Sequence, residues 1–140
     1  MKAPVVVTDL SGVCPPPKRV GILSDTHAVY DPALEKHFGS CDLLLHGGDV
    51  GHHGGAEEVL ARLERGTGAR TLAVRGNTDE GESGLEAEVL PKWRLVILPK
   101  CRVLMTHIVA GFPNVDKMDA EVLRLASAHA ADVVLFGWSV

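Results

Sequence analysis

The sequence predicts an α/β layer fold, and three observations carry that expectation. From residue 19 onward, short apolar runs alternate with segments of helical periodicity. The strand candidates are largely continuous apolar runs, as expected where a sheet is covered on both faces. Each run also passes directly into polar residues, and in open α/β sheets the carboxyl ends of the strands form the ligand crevice.

Taken in order, Val5–Thr8 is expected as a short strand in an appendage spanning residues 1–18. Pro15-Pro16-Pro17 then gives a stiff break that cannot donate to a ladder. The domain proper is expected over 19–140. Val20–Leu23 reads as its first buried strand. Asp31 is a helix cap with Pro32 at the first helical position, so a short helix runs to about Phe38. Leu43–His46 is the next strand. Gly55–Arg65 is a helix with Val59, Leu60 and Leu63 on one face and Glu57 and Glu58 at its positive end; Gly66 and Gly68 stop it. Thr71–Val74 is a third strand. Leu95–Leu98 and Arg102–Thr106 form a hairpin around Pro99-Lys100. Asp119–His129 is a helix with Val122, Leu125 and Ala126 inward, and Val133–Phe136 is the last strand.

Composition narrows the function classes. At 140 residues the chain is one domain's worth, since domains usually take about 100–200 residues. Hydrophobic content of 46% and charged content of 23% are globular rather than disordered. With 14 Lys and Arg against 18 Asp and Glu, the net charge is −4 and no basic run exists. That leaves no strong signal for nucleic acid and none for a membrane surface. Aromatic content of 4% argues against a base-stacking platform. The longest apolar runs fall far short of the roughly 20 residues of a membrane span. Cys14, Cys41 and Cys101 are odd in number and contain no C-x-x-C pair. Neither a disulfide framework nor a thiolate zinc site is expected, and a cytoplasmic location fits.

The chemistry sits where strands end. Four such ends deliver Asp25 and His27, Asp49, Asn77, and His107. Any one of them alone suits a turn or a satisfied loop residue. Together they make an oxygen and nitrogen donor set suited to Mn²⁺, Fe or Zn²⁺. Asp25 and His27, two apart on an extended segment, can face one ion. Asp49 can bridge two. His46 is expected to support the loop that follows it.

The ordered set Asp25-Thr26-His27, Gly48-Asp49, Gly76-Asn77 and Thr106-His107 resembles the calcineurin-like metallophosphoesterases, in particular their small single-domain phosphodiesterases. The resemblance covers residues 19–138. It implies a four-layer α/β/β/α sandwich and a metal-dependent phosphodiester hydrolase. Two divalent ions are implied, with Mn²⁺ expected and Fe, Zn or Ni as alternatives. Asp25, His27 and Asp49 would hold the first ion; Asp49, Asn77 and His107 the second. A hydroxide held between the ions would attack phosphorus in line, so Asp49, Asn77 and His107 count as catalytic as well as ligating. The substrate would be a small phosphodiester. Where many members carry a His after the Gly-Asn pair, this chain has Thr78, a poor general acid.

The resemblance breaks at the end of the chain. The family's Gly-His-(Ser/Thr)-His motif is here Gly137-Trp138-Ser139-Val140, with Trp138 and Val140 in place of both histidines. The domain is therefore expected to be incomplete at its C-terminus and to lack the final strands of its second sheet, leaving an apolar edge that favours association into oligomers. The alternative function is a non-catalytic scaffold of the same fold, resembling the retromer vacuolar-sorting subunit and binding a protein partner, or a defunct truncated enzyme.

Overall fold

The computed structural model describes residues 5–79, 89–107 and 120–137, and these form two sheets faced by helices. The first sheet is all parallel: β2 (Val20–Leu23), β3 (Leu43–His46) and β4 (Arg70–Ala73), side by side in chain order. The second runs β1 (Val5–Asp9), β5 (Trp93–Leu98), β6 (Cys101–Thr106), β7 (Val133–Phe136). There β5 and β6 form the antiparallel hairpin, while β1 lies parallel to β5 and β7 parallel to β6. Parallel neighbours need a crossover. Helices α1 (Ala33–Phe38), α2 (Ala56–Thr67) and α3 (Ala120–Ala128) lie within the connections β2 to β3, β3 to β4 and β6 to β7.

Four layers follow from where the apolar side chains go. Strand β3 is buried at every position, yet its alternate residues serve different layers. Leu44 packs with Val59 and Leu63 of α2. Leu43 and Leu45 turn the other way and meet Val96, Val103, Met105 and Leu135 of the second sheet. Beyond that sheet, Trp93, Leu95 and Leu104 face Val122 and Leu125 of α3. The order is thus α/β/β/α, as expected. Truncating any of the fully buried leucines to alanine would cost about 2–5 kcal/mol.

Two of the boundaries that differ from the sequence expectation have a clear physical reason. Helix α2 continues past Arg65 to Thr67, because Gly66 is tolerated where a side chain would overlap Glu35 and Tyr30. The stop is Gly68, whose φ of 74° provides the left-handed cap and whose N–H bonds Glu64 O. Strand β5 starts at Trp93 rather than Leu95, since β1 is paired there, with Val5 opposite Trp93 and Val6 opposite Arg94. The strand expected within the appendage is thus an edge of the second sheet. Buried Arg94 ties the two sheets there, donating to Thr8 Oγ1 at 2.7 Å and to Ala73 O at 3.0 Å. Among the described residues no helix is long and apolar enough to cross a membrane.

Candidate metal centre

Strands β2, β3 and β6 end at the same edge of the sandwich, and the loops leaving them converge. Asp25 follows β2, Asp49 follows β3 and His107 follows β6. One donor atom from each of these three lies within 4.8 Å of the others. His107 Nε2 is 3.3 Å from Asp49 Oδ2 and 3.9 Å from Asp25 Oδ1. His27 Nε2 faces the same two oxygens, at 3.5 Å and 3.8 Å. Atoms bound at about 2.0–2.2 Å to one ion are spaced at such distances in tetrahedral or octahedral arrangements.

The tautomer of His107 follows from its other nitrogen. Nδ1 lies 2.7 Å from Gly47 O. A carbonyl only accepts, so Nδ1 donates and the neutral ring keeps a lone pair on Nε2. That atom is buried and makes no hydrogen bond among the described residues. It faces two carboxylates, which are also acceptors. A divalent cation would satisfy such a set, so the residues present fit a metal ion.

The backbone is bent hard to achieve this. Asp25, His27 and Asp49 all have positive φ, at 60°, 48° and 53°. Left-handed non-glycine residues are costly and cluster where function demands them; aspartate and histidine are among the side chains found there more often than most. Asp25 N bonds Gly48 O and His27 N bonds Asp49 O, each at 2.9 Å, so the two loops hold each other.

Behind the loops runs a polar chain built on buried His46. Gly48 N–H donates to His46 Nδ1 at 3.2 Å, which places the His46 proton on Nε2. Nε2–H then donates to Thr26 Oγ1 at 3.0 Å, and Thr26 donates to Val50 O at 2.8 Å. Burial, reinforced by His107 and opposed by Asp49, pushes the His46 pKa down to about 3. His46 is therefore a neutral prop for the loop.

Asp79 is a residue the sequence reading did not single out. It is fully buried, and its carboxylate accepts backbone N–H groups from Val50 at 3.1 Å, Gly51 at 2.8 Å and Gly76 at 2.9 Å. It clamps the loop after β3 to the loop after β4. The available signal was an acid two residues beyond Asn77, within reach of its own glycine turn.

The remaining candidates lie at the rim. Asn77 is exposed at the start of a single 3₁₀ turn, Asn77–Asp79. Its neighbour Thr78 donates its N–H to Asp49 Oδ1 at 3.0 Å. The Thr78 hydroxyl is turned away, donating to Gly51 O at 2.6 Å. His52 sits beside the His27 ring, with centroids 5.9 Å apart, and His53 stacks edge-on to His52. The structure thus gathers Asp25, His27, Asp49 and His107 into one cluster and leaves Asn77 exposed beside it. His107 Nε2 and His27 Nε2 both face Asp25 Oδ1 and Asp49 Oδ2. Trp138 and Val140 lie outside the described residues.

Two solved structures share this fold. One is a conserved uncharacterised protein from Streptococcus pneumoniae, described as a predicted phosphoesterase, with 21% identity and a TM-score of 0.55. The other is a single-mutant Vps29 from Entamoeba histolytica, with 15% identity and a TM-score of 0.52. The matches cover 85% and 84% of this chain. They span 60% and 62% of those two proteins. Comparison with curated protein sequences gives no significant match. A family model matches residues 19–139, nearly the whole sandwich and every residue of the cluster. The chain belongs to the calcineurin-like phosphoesterase superfamily.

Proposed function

We propose that the chain forms the metal centre of a phosphodiester hydrolase that works with two divalent cations, Mn²⁺ first among them. The observation that supports this most is the convergence of the buried His107 Nε2, which makes no hydrogen bond among the described residues, on Asp25 and Asp49. Bound divalent ions would neutralise charge on the phosphoryl oxygens and lower the pKa of the attacking water. Asp25, Asp49, His27 and His107 would hold the ions, with Asn77 completing the set from the rim.

The protein's own part is positioning. Asp79 and the His46 to Thr26 chain hold the two glycine loops in register, so the carboxylates need not reorganise when the phosphate arrives. His27 is 40% exposed beside buried Asp49 and part-buried Asp25, and an anionic substrate would enter past it. Hydrolysis cleaves one P–O bond, and the leaving oxygen needs a proton. Thr78 has already committed its hydroxyl to Gly51 O. Good leaving groups, such as aryl oxides, are therefore favoured over alkoxides.

The test is Mn²⁺-stimulated hydrolysis of bis-p-nitrophenyl phosphate, with Asp49→Asn as control. Turnover that the substitution abolishes supports the proposal. A folded chain that binds Mn²⁺ and turns nothing over refutes the catalytic part. A second reading, an interaction scaffold of the same fold, draws on Trp138 and Val140 replacing two histidines and on the engagement of Thr78. It predicts capture of a protein partner without turnover.

A further inference from the structure

At the end of the sheets opposite the metal centre, a cavity of about 360 Å³ lies beneath the segment that joins β1 to β2. Its location follows from strand direction. Strand β3 enters at Leu43 and leaves at His46 toward the centre, and β4 enters at Arg70; Leu43 and Arg70 both line the cavity. Leu10, Val13 and the proline run 15–17 form the opposite wall. Leu10 and Leu43 also belong to the core between the sheets, so both walls include packed apolar surface.

The polar groups are unequal in what they leave available. Asp42 lines the cavity, but its Oδ2 accepts the N–H groups of Lys18 at 2.9 Å and Arg19 at 3.1 Å. Those bonds, helped by the charges of Lys18 and Arg19, hold its carboxyl below the usual range. Lys18 and Arg70 line the same cavity, and neither pairs with a carboxylate among the described residues. The lining therefore offers an apolar wall, two cations without a salt bridge among the described residues, and one acid whose Oδ2 is engaged by backbone N–H groups. Its volume is near the lower end of the about 300–1,000 Å³ typical of ligand sites, which suits a ring system or short branched chain.

The family match begins at residue 19. Leu10, Val13, the proline run and Lys18 all precede it, so one wall of this cavity comes from outside the matched region. We propose that it is a second ligand site, for a small organic monoanion with an apolar body. The body would lie against Leu10, Val13 and the prolines, and the anionic group would meet Lys18 and Arg70.

The test is a titration of the ¹⁵N-labelled full chain with 2-naphthoate, followed by amide chemical shifts. Shifts are expected at Leu10, Val13, Lys18, Leu43 and Arg70. The neutral 2-naphthamide should bind at least tenfold more weakly. Arg70→Glu, an exposed substitution, should raise Kd at least tenfold while leaving Mn²⁺ binding at the distant centre unchanged. Val13→Trp, which fills the cavity, should remove binding in a chain whose spectrum stays dispersed. Equal binding of acid and amide, shifts centred on exposed Ile22 and Phe136 instead, or no shift at millimolar ligand would each overturn the proposal.

Discussion

Asp49 packs directly on the α-carbon of Gly76: a methyl group there would overlap both the backbone nitrogen and Oδ1 of Asp49. Among the described glycines of the site, none has so little room. Asp49 is fully buried at a φ of 53°, and its Oδ2 meets His107 at 3.3 Å. Gly76→Ala should force this carboxylate aside. The expected loss is about 1–3 kcal/mol of stability from overpacking, with at least a tenfold drop in Mn²⁺ affinity. Urea unfolding and calorimetric titration measure the two separately. Unchanged affinity would mean that Asp49 is not held in place by this contact.

Asp79 supports a sharper distinction. Asparagine has nearly the same shape but presents one acceptor and an NH₂ group. Three backbone N–H groups now point at the Asp79 carboxylate, so one or more would face a donor in Asp79→Asn. Leaving a buried donor unsatisfied costs about 1–3 kcal/mol. The loops after β3 and β4 should loosen together. Hydrogen exchange at Val50, Gly51 and Gly76 should accelerate in the variant while exchange in β6 stays slow. Uniform acceleration across the chain would instead indicate global destabilisation and no clamp.

His46 gives a pH dependence with a definite sign. Unfolded, it takes up a proton near its ordinary value of 6.5; folded, burial delays this to about 3. Between those values the unfolded chain binds more protons, so stability rises with pH and falls on acidification. For one group the slope approaches about 1.4 kcal/mol per pH unit well below pH 6.5. His46→Gln keeps a donor toward Thr26 but cannot take the proton. Its urea midpoint should start lower at pH 7 and decline less steeply toward pH 5. Parallel declines would place the acid sensitivity in other groups.

The contrast between Leu43–His46 and Val5–Asp9 explains what could be read from the sequence. The former is an unbroken apolar run ending in a polar loop, and its bounds, like those of Val20–Leu23 and Val133–Phe136, agree with expectation. The latter was visible as a strand, but no local signal encodes its parallel pairing with β5, which is set by a register between distant residues. The same holds within the site. Asp25, His27, Asp49 and His107 were legible as donors at strand ends. The orientation of His107 depends on the Gly47 carbonyl 60 residues away. Asp79 resembled one more polar loop residue, because its three partners come from two loops that meet only in the folded chain.

That distant pairing can itself be tested through one hydroxyl. Arg94 is 4% exposed, and burial together with nearby Arg70 lowers its pKa to about 10, leaving it a cation at neutral pH. Its guanidinium reaches across from β5 to Thr8 on β1 at 2.7 Å. A hydrogen bond to a charged group contributes about 1.5–3 kcal/mol. Thr8→Val keeps the shape and β-propensity but removes the oxygen, and should destabilise the whole sandwich by that amount. Thr8→Ser should recover most of the loss. Val7→Ala on the same strand, at a position 51% exposed, should cost much less. A Thr8→Val chain that unfolds at the wild-type urea midpoint would mean that β1 rests on the sheet without contributing to its stability, and that the cooperative unit begins after the proline run.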